Sequence, residues 1–138
     1  STVRHRELEL LSRVPFLSAL PAYELEHLAQ TALWRDAPSG TAVVTQGEPG
    51  DAFYVVGEGE LSVTVDGRLR DHTLSAGDGF GEISLLHRVP RTATIEAISD
   101  CEILMVSSAQ FLASVTSSTD GAALAAEVSA ARLAADEE

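Results

Sequence analysis

Glu82 and Arg91 are the residues of this sequence whose types and spacing most clearly suggest chemistry. Gly79 and Gly81 stand just before Glu82, and Pro90 stands directly before Arg91. A guanidinium group presents a rigid fork of donors that matches a phosphate, whereas a carboxylate accepts hydrogen bonds from hydroxyl groups. The pair therefore predicts a site for a ligand with an anionic group and nearby hydroxyls, as in a phosphorylated ribose.

The backbone around Glu82 adds to this prediction. Residues 77–86 pass from a glycine-rich turn into a single helical turn, which Pro90 prevents from continuing. A helix beginning at Gly81 or Glu82 would direct backbone N–H groups and the positive end of its dipole toward an anion. The glycines also suit a plain turn, and an acid suits a helix N-terminus without any ligand, so both explanations stay open.

Arg91 is expected to face the core. If residues 91–97 form a regular strand, Arg91 shares its face with Ala93, Ile95 and Ala97, which are small or apolar. An arginine on such a face is costly unless an anion meets it. The anion is either a bound phosphate or Glu82 itself, and the remaining alternative is a surface arginine that follows a proline.

The elements that must position this pair change period along the chain. Apolar residues keep helical spacing from His5 to about Leu33, and helical patterns return after Val106, with an alanine-rich helix expected over about 122–134. Between them, short β-branched runs punctuated by glycine predict strands, with Asp66-Gly67 as a hairpin turn. The clearest of these runs are residues 41–45, 53–56, 61–65 and 68–74. The order predicts a closed all-β unit, either a sandwich or a barrel, between helices.

Composition excludes several classes of protein. The 138 residues fit one domain, and a net charge of −12 from nine arginines and 21 acids argues against nucleic-acid contact. Cys101 is the single cysteine, which excludes an internal disulfide and favours a reducing cytosol. The four histidines show no metal-ligand spacing, and no apolar run or leader pattern predicts membrane insertion or secretion.

Three segments together resemble the cyclic nucleotide-binding domain family, which includes kinase A regulatory subunits, the catabolite activator protein and cyclic-nucleotide-gated channels. The run from Phe80 to Leu86 and the run from Pro90 to Ile95 resemble its phosphate-binding cassette in residue types and spacing. Residues 46–56 with 59–61 resemble its early hairpin, and Leu74 with Gly77-Asp78 its approach to the cassette. The resemblance spans roughly residues 14–111, and the combination is far more specific than a lone glycine-rich loop.

The resemblance implies a mainly β fold with flanking helices, an eight-stranded antiparallel β-roll (jelly-roll) with one short embedded phosphate-binding helix. It divides one domain into an N-terminal helical segment 1–33, a β-roll 34–107 with its cassette at 80–95, and C-terminal helices 108–138. It implies a cytoplasmic, non-catalytic receptor for cAMP or cGMP, with no cofactor or metal, that couples binding to helix movement. The partner would be another domain of the same parent protein, a larger signalling or transport protein, which includes the case of a membrane protein's cytosolic domain.

The resemblance also implies a role for each matching residue. Arg91 would pair with the cyclic phosphate, helped by the Thr92 hydroxyl and the backbone N–H of Ala93, while Glu82 would accept a hydrogen bond from the ribose 2′-hydroxyl. Thr92 leaves cAMP and cGMP open, since a threonine here can bond either guanine or the phosphate. The complete expected set of ligand-binding residues is Phe80, Gly81, Glu82, Ile83, Ser84, Arg91, Thr92, Ala93 and Val63, with Val63 packing the base and Leu124 or Val128 in a lid.

Three other functions are alternatives to a cyclic-nucleotide receptor. A degenerate copy of the fold, kept as an interaction or dimerisation module, is the main alternative, and the presence of both Glu82 and Arg91 argues against it. A metal-dependent barrel enzyme of the cupin type would need converging histidines, whereas His72 and His87 are expected in exposed loops. A complete transcription factor would need a helix-turn-helix after the last helix, which these residues do not supply.

Overall fold

The computed structural model describes residues 5–116 and the single helical positions Ala123, Ala126 and Ala130. Leu124 and Val128, expected in a lid, lie outside the described residues. The helices are α1 (His5–Ser12), α2 (Pro15–Ser18), α3 (Ala22–Thr31), α4 (Glu82–His87) and α5 (Ser108–Thr116). The strands are β1 (Leu33–Ala37), β2 (Ala42–Val44), β3 (Ala52–Glu58), β4 (Leu61–Val65), β5 (Arg68–Leu74), β6 (Gly79–Phe80), β7 (Thr94–Ala97) and β8 (Cys101–Ser107).

The eight strands form two four-stranded sheets, in the orders β1-β8-β3-β6 and β2-β7-β4-β5, and every pairing is antiparallel. This confirms the β-roll with flanking helices. The predicted hairpin between β4 and β5 is also confirmed, because Val65 pairs with Arg68 across Asp66 and Gly67. Both turn residues have positive φ, 52° and 77°, which matches the hairpin turn that twisted antiparallel strands prefer.

Strand β3 separates two cores because both of its faces are buried. Tyr54 and Val56 face a core between the two sheets, whereas Phe53 and Val55 face a second core beneath the helices. In the second core the rings of Phe53 and Phe111 stack, with their centroids 4.7 Å apart. The β-roll thus has a packed interior of its own, and the helices cover the outer face of the sheet that contains β3.

The helical segments follow the expected apolar stripes. On α3, which begins after Pro21, Leu28 and Ala29 are buried in the core beneath the helices. Helix α5 begins at the expected place, and the Ser107 hydroxyl accepts a hydrogen bond from the backbone N–H of Gln110 at 3.3 Å. The short helix α2 begins at Pro15, which is well suited to a first helical turn.

Trp34 lies on the outer face of β1, where strand alternation turns its side chain toward α1. Its indole N–H donates to Glu7 at 2.9 Å, and the guanidinium of Arg6 lies 4.1 Å from its ring centre. His72 and His87 are exposed as expected, yet they lie in β5 and at the end of α4 rather than in loops.

Candidate functional site

The expectation that Arg91 lies within a regular strand is wrong, because β7 begins at Thr94. The Arg91 N–H donates to the Glu48 carbonyl, and the Arg91 carbonyl accepts from the Gly47 N–H, both at 2.8 Å. These bonds tie Arg91 to the loop between β2 and β3 rather than to a sheet partner. Burial nevertheless alternates as in a strand, since Arg91, Ala93 and Ile95 are buried. The side chain therefore still faces inward.

The guanidinium of Arg91 is buried among oxygen atoms. Its Nη1 donates to the Gly81 carbonyl at 3.0 Å, and its Nη2 donates to the Ala52 carbonyl at 2.8 Å. Nη2 also lies 3.5 Å from a carboxylate oxygen of Asp51, whose side chain is 84% exposed while that of Arg91 is 2% exposed. This geometry rules out a surface arginine. The ion pair with Asp51 is long and solvated on one side, so it is weak.

Gly81 has no room for a side chain. Its φ of 101° is strained for other residues, and a Cβ atom there would come within 2.8 Å of Nη1 of Arg91. Helix α4 follows at once, and Glu82 in its first turn is completely buried. The short helix expected after the glycines is confirmed as α4, but the glycine-rich stretch before it is not all turn, because Gly79 and Phe80 pair with β3 as strand β6.

Hydrogen bonds between Ser84 and Val89 connect α4 to the segment that carries Arg91. The Ser84 hydroxyl donates to the Val89 carbonyl at 2.7 Å, and the Val89 N–H donates to the Ser84 carbonyl at 3.3 Å. Gly50 of the β2–β3 loop passes so close that a Cβ atom there would overlap the Ser84 side chain and lie 3.4 Å from the Arg91 guanidinium carbon. Ser84 is therefore packed between the loop and the segment that carries Arg91.

The other expected ligand-binding residues lie on elements around this point. Val63 on β4 pairs with Ile95 on β7, and both are buried in the core between the sheets. Phe80, Ile83 and Ala93 are also buried, and Thr92 is half-buried. The contact of each with a ligand stays a prediction.

Two side chains that the sequence did not single out also contact Arg91, beside the backbone partners given above. They are Asp51 and Tyr54, whose ring centre lies 5.8 Å from the Arg91 guanidinium carbon. Tyr54 also stacks on Phe80 with centroids 5.1 Å apart. Burial raises the pKa of the Tyr54 phenol, with the Asp51 carboxylate adding to that rise and Arg91 and Arg35 opposing it. Asp51 lies in a loop and Tyr54 lies in strand β3. The hydrophobic pattern of this segment does not indicate that either side chain contacts Arg91.

The described residues contain neither a metal-binding cluster nor a membrane-spanning helix. Within residues 5–116 and the three single positions beyond, no group of three or more histidine, cysteine, aspartate or glutamate side chains is arranged to hold a metal ion. Among the helices of the described part, none reaches the length and hydropathy needed to cross a bilayer.

Comparison with known proteins gives consistent matches. A family model described as the cyclic nucleotide-binding domain matches residues 34–118. A cAMP-dependent protein kinase regulatory subunit of Yarrowia lipolytica is 48% identical over 88 residues, which are 63% of this chain and 24% of that protein. The chain spans about a quarter of the length of the curated relatives it matches.

Solved structures match over more of the chain. The regulatory domain of Toxoplasma gondii PKA with cAMP has a TM-score of 0.76 and 25% identity, covering 83% of this chain and 45% of that one. The regulatory subunit of a cAMP-independent protein kinase A from Trypanosoma brucei has a TM-score of 0.79 over 91% of this chain and 45% of that one. Its identity is 22%, so the second match concerns the fold alone.

Proposed function

Because this chain belongs to the cyclic nucleotide-binding domain family, we propose that it is a regulatory domain that binds cAMP or cGMP beside Glu82 and Arg91. The observation that carries the proposal is the buried guanidinium of Arg91 in a cassette of the family's type. Its neighbours Gly81 and Ala52 contribute carbonyl oxygens, which are dipoles and not full charges. A cyclic phosphate would accept charge-assisted hydrogen bonds from this buried guanidinium, whose fork of donors matches phosphate oxygens.

In this proposal the cassette residues divide the ligand between them. Arg91 holds the phosphate with the Thr92 hydroxyl and the Ala93 N–H, and Glu82 accepts from the ribose 2′-hydroxyl. Backbone groups of Gly81, Ile83 and Ser84 line the sugar. Phe80 and Val63 supply apolar surface near the ring system, and a lid at Leu124 or Val128 covers the base.

The domain would act as a receptor without catalysis, cofactor or metal, and it would work in the cytoplasm. Its effect would reach another domain of a longer signalling or transport protein through movement of the helices. Contacts between α3 and α5 support this route, because His27 bonds Gln110 at 2.9 Å and Ser114 donates to Glu24 at 3.3 Å. Ligand-driven movement of α5 would have to carry α3 with it or break these bonds.

The second candidate function is an interaction or dimerisation module that has the fold without the ligand. This candidate is supported by the likeness in fold to a regulatory subunit described as cAMP-independent. Proteins that share one fold can differ in the ligands that they bind. The buried Arg91 in a cassette of the family's type favours the receptor, because its guanidinium fork suits a phosphate.

Isothermal titration with cAMP, cGMP, linear 5′-AMP and adenosine tests the proposal. We expect saturable binding of at least one cyclic nucleotide, with weaker binding of the nucleoside that lacks the phosphate. Linear 5′-AMP reports whether the phosphate must be cyclic. The absence of heat and of any thermal stabilisation by either cyclic nucleotide at millimolar concentration would reject the receptor and leave the interaction module.

A further inference from the structure

Gln46 lies in the loop between β2 and β3 and bonds to a hairpin that is distant in the sequence. Its side-chain amide donates to the Asp66 carboxylate at 2.7 Å, and its side-chain oxygen accepts from the Asp66 N–H at 2.8 Å. Asp66 belongs to the turn between β4 and β5, where its φ is 52°. Because both ends of the Gln46 amide are bonded, its side chain is fixed in orientation as well as in position.

The backbone of Gln46 is anchored to another element. Its N–H donates to the Thr94 hydroxyl oxygen at 3.0 Å. Thr94 is the first residue of β7 and follows Arg91 closely in the chain. Gln46 therefore ties the β2–β3 loop to the β4–β5 hairpin and also to the strand that follows the candidate site.

The two residues after Gln46 hold the backbone of Arg91. The Gly47 N–H donates to the Arg91 carbonyl, and the Glu48 carbonyl accepts from the Arg91 N–H, both at 2.8 Å. Gly47 has a φ of 89°, and no atom of the described residues lies within 4 Å of a Cβ built there. Glycine restricts its backbone little and has no side chain to pack, so the direction of the Gly47 N–H depends on its neighbours in the chain. Gln46 is the neighbour that carries the three hydrogen bonds described above.

The same loop also reaches the charged end of Arg91. Nη2 donates to the Ala52 carbonyl at 2.8 Å and lies 3.5 Å from a carboxylate oxygen of Asp51. The loop thus contacts Arg91 at its N–H, at its carbonyl and at its guanidinium. A displacement of the loop would therefore move the buried cation together with the backbone that carries it.

We infer that Gln46 is a positioning residue for Arg91: its bonds to Asp66 and Thr94 hold the loop whose backbone fixes Arg91 where the phosphate is expected. The inference rests on the proposed function. It assigns a role in ligand affinity to a residue outside the cassette and to the hairpin turn that this residue contacts. Gln46 acts through Arg91 and not through a contact with the ligand.

The test is calorimetric titration of cAMP and cGMP into Gln46→Glu, Asp66→Asn and the variant with both changes. Asp66→Asn keeps an oxygen that accepts from the Gln46 amide, so its affinity should equal that of the unmodified chain. Gln46→Glu sets a carboxylate against a carboxylate, and we expect it to bind at least about fivefold more weakly, as the net loss of one hydrogen bond predicts. In the double variant the new amide at position 66 donates to the new carboxylate at position 46. Both hydrogen bonds then return with the net charge unchanged, and we expect the original affinity to return with them.

Ser99→Ala is the matched control for the loss of a hydrogen bond between two loops. The Ser99 hydroxyl oxygen accepts from the Glu60 N–H at 3.0 Å, between β7 and β8 and therefore at the end of β7 that is remote from Arg91. We expect this variant to lose some thermal stability and to keep the affinity of the unmodified chain.

A second readout follows the Arg91 backbone without any ligand. The Arg91 N–H donates to the Glu48 carbonyl, so amide hydrogen exchange at Arg91, measured by NMR, reports how well the loop holds it. We expect faster exchange at this amide in Gln46→Glu and the original rate in the double variant and in Ser99→Ala. A purely structural role of Gln46 would accelerate exchange throughout the β-roll and not selectively at Arg91.

The outcomes distinguish this inference from the proposed function. Unchanged affinity in Gln46→Glu, or a loss that Asp66→Asn does not restore, would overturn the positioning role and leave the receptor intact. An equal loss of affinity in Ser99→Ala would assign the effect to general destabilisation and would also overturn it. Absence of binding by the unmodified chain would overturn the proposed function, and with it the role of Gln46 in affinity, while selective exchange at Arg91 would still show that Gln46 holds this residue.

Discussion

At the scale of single residues, Arg91 and Gly81 depend on one another. The guanidinium donates to the Gly81 carbonyl, and the same glycine leaves the space that Nη1 occupies. The residue types at these positions could be read from the sequence, and so could the inward direction of Arg91. The contacts with Asp51 and Ala52 could not, because they join residues about forty positions apart through a loop without a periodic pattern.

Gly81→Ala should reduce both stability and nucleotide affinity. The new Cβ atom would meet Arg91 Nη1 at 2.8 Å, and the positive φ costs about 1 kcal/mol for a residue other than glycine. Denaturant unfolding and calorimetric titration measure the two effects.

Gly67→Ala is the control for that change. Gly67 also has a positive φ, 77°, but no atom lies within 4 Å of a Cβ built there. We expect a smaller loss of stability, from the backbone strain alone, with unchanged affinity. Equal affinity losses in the two variants would show that backbone strain, and not the contact with Arg91, controls binding.

At the scale of elements, the cassette is held from outside by the β2–β3 loop. This loop exchanges backbone hydrogen bonds with Arg91 and packs Gly50 against Ser84 of α4. Gln46 extends the same connection to the β4–β5 hairpin, donating to the Asp66 carboxylate at 2.7 Å and accepting from the Asp66 N–H at 2.8 Å. Arg91 is thus positioned by a loop that contacts both α4 and a distant hairpin.

Gly50→Ala should destabilise the domain by about 1–3 kcal/mol, the usual cost of inserting an atom into a packed site. Because the clash is with Ser84, the same substitution should cost less in a Ser84→Gly background. Chemical denaturation of the two single variants and the double variant measures this coupling. Strictly additive free energies of unfolding would contradict close packing between the loop and α4.

The observed strand boundaries show which parts of the fold hydrophobic periodicity predicts correctly. The ranges 61–65 and 68–74 match β4 and β5 because their alternation and the Asp-Gly turn are local signals. Strand β7 was expected to begin at Arg91, and it begins at Thr94 because the backbone of Arg91 bonds to the β2–β3 loop. That competition is a tertiary effect, which a local pattern does not contain.

At the scale of the whole molecule, an ion pair at the surface joins helix α1 to the β-roll, in addition to apolar packing. Arg6 of α1 pairs with Glu102 of β8 at 2.8 Å and also lies over Trp34 of β1. Gly57 of β3 leaves room for the Trp34 ring, since a Cβ there would come within 2.6 Å of it. The apolar stripe of the N-terminal helices could be predicted from the sequence, but these cross-chain partners could not.

The Arg6–Glu102 pair should make stability depend on acid pH. The hydrogen bond and charge of Arg6 hold the pKa of the Glu102 carboxyl below its ordinary value of 4.5. A carboxyl with a lowered pKa in the folded state contributes stability above the unfolded pKa and loses it as pH falls through the folded pKa. In Glu102→Gln we expect a smaller loss of thermal stability below pH 4.5, measured as melting temperature against pH. A curve identical to that of the unmodified chain would contradict a role for this pair.

The most direct test of the receptor is calorimetric titration of cAMP and cGMP into the unmodified chain, the Arg91→Gln variant and the Arg68→Gln control. Arg68 is an exposed arginine of β5, so its replacement changes the net charge equally. We expect tight binding of at least one nucleotide by the unmodified chain and the control. For Arg91→Gln we expect at least a tenfold loss of affinity, roughly the worth of a charge-assisted hydrogen bond to phosphate. Equal affinity in a folded Arg91→Gln variant would contradict the central claim, because the phosphate would then be held by something other than the buried guanidinium.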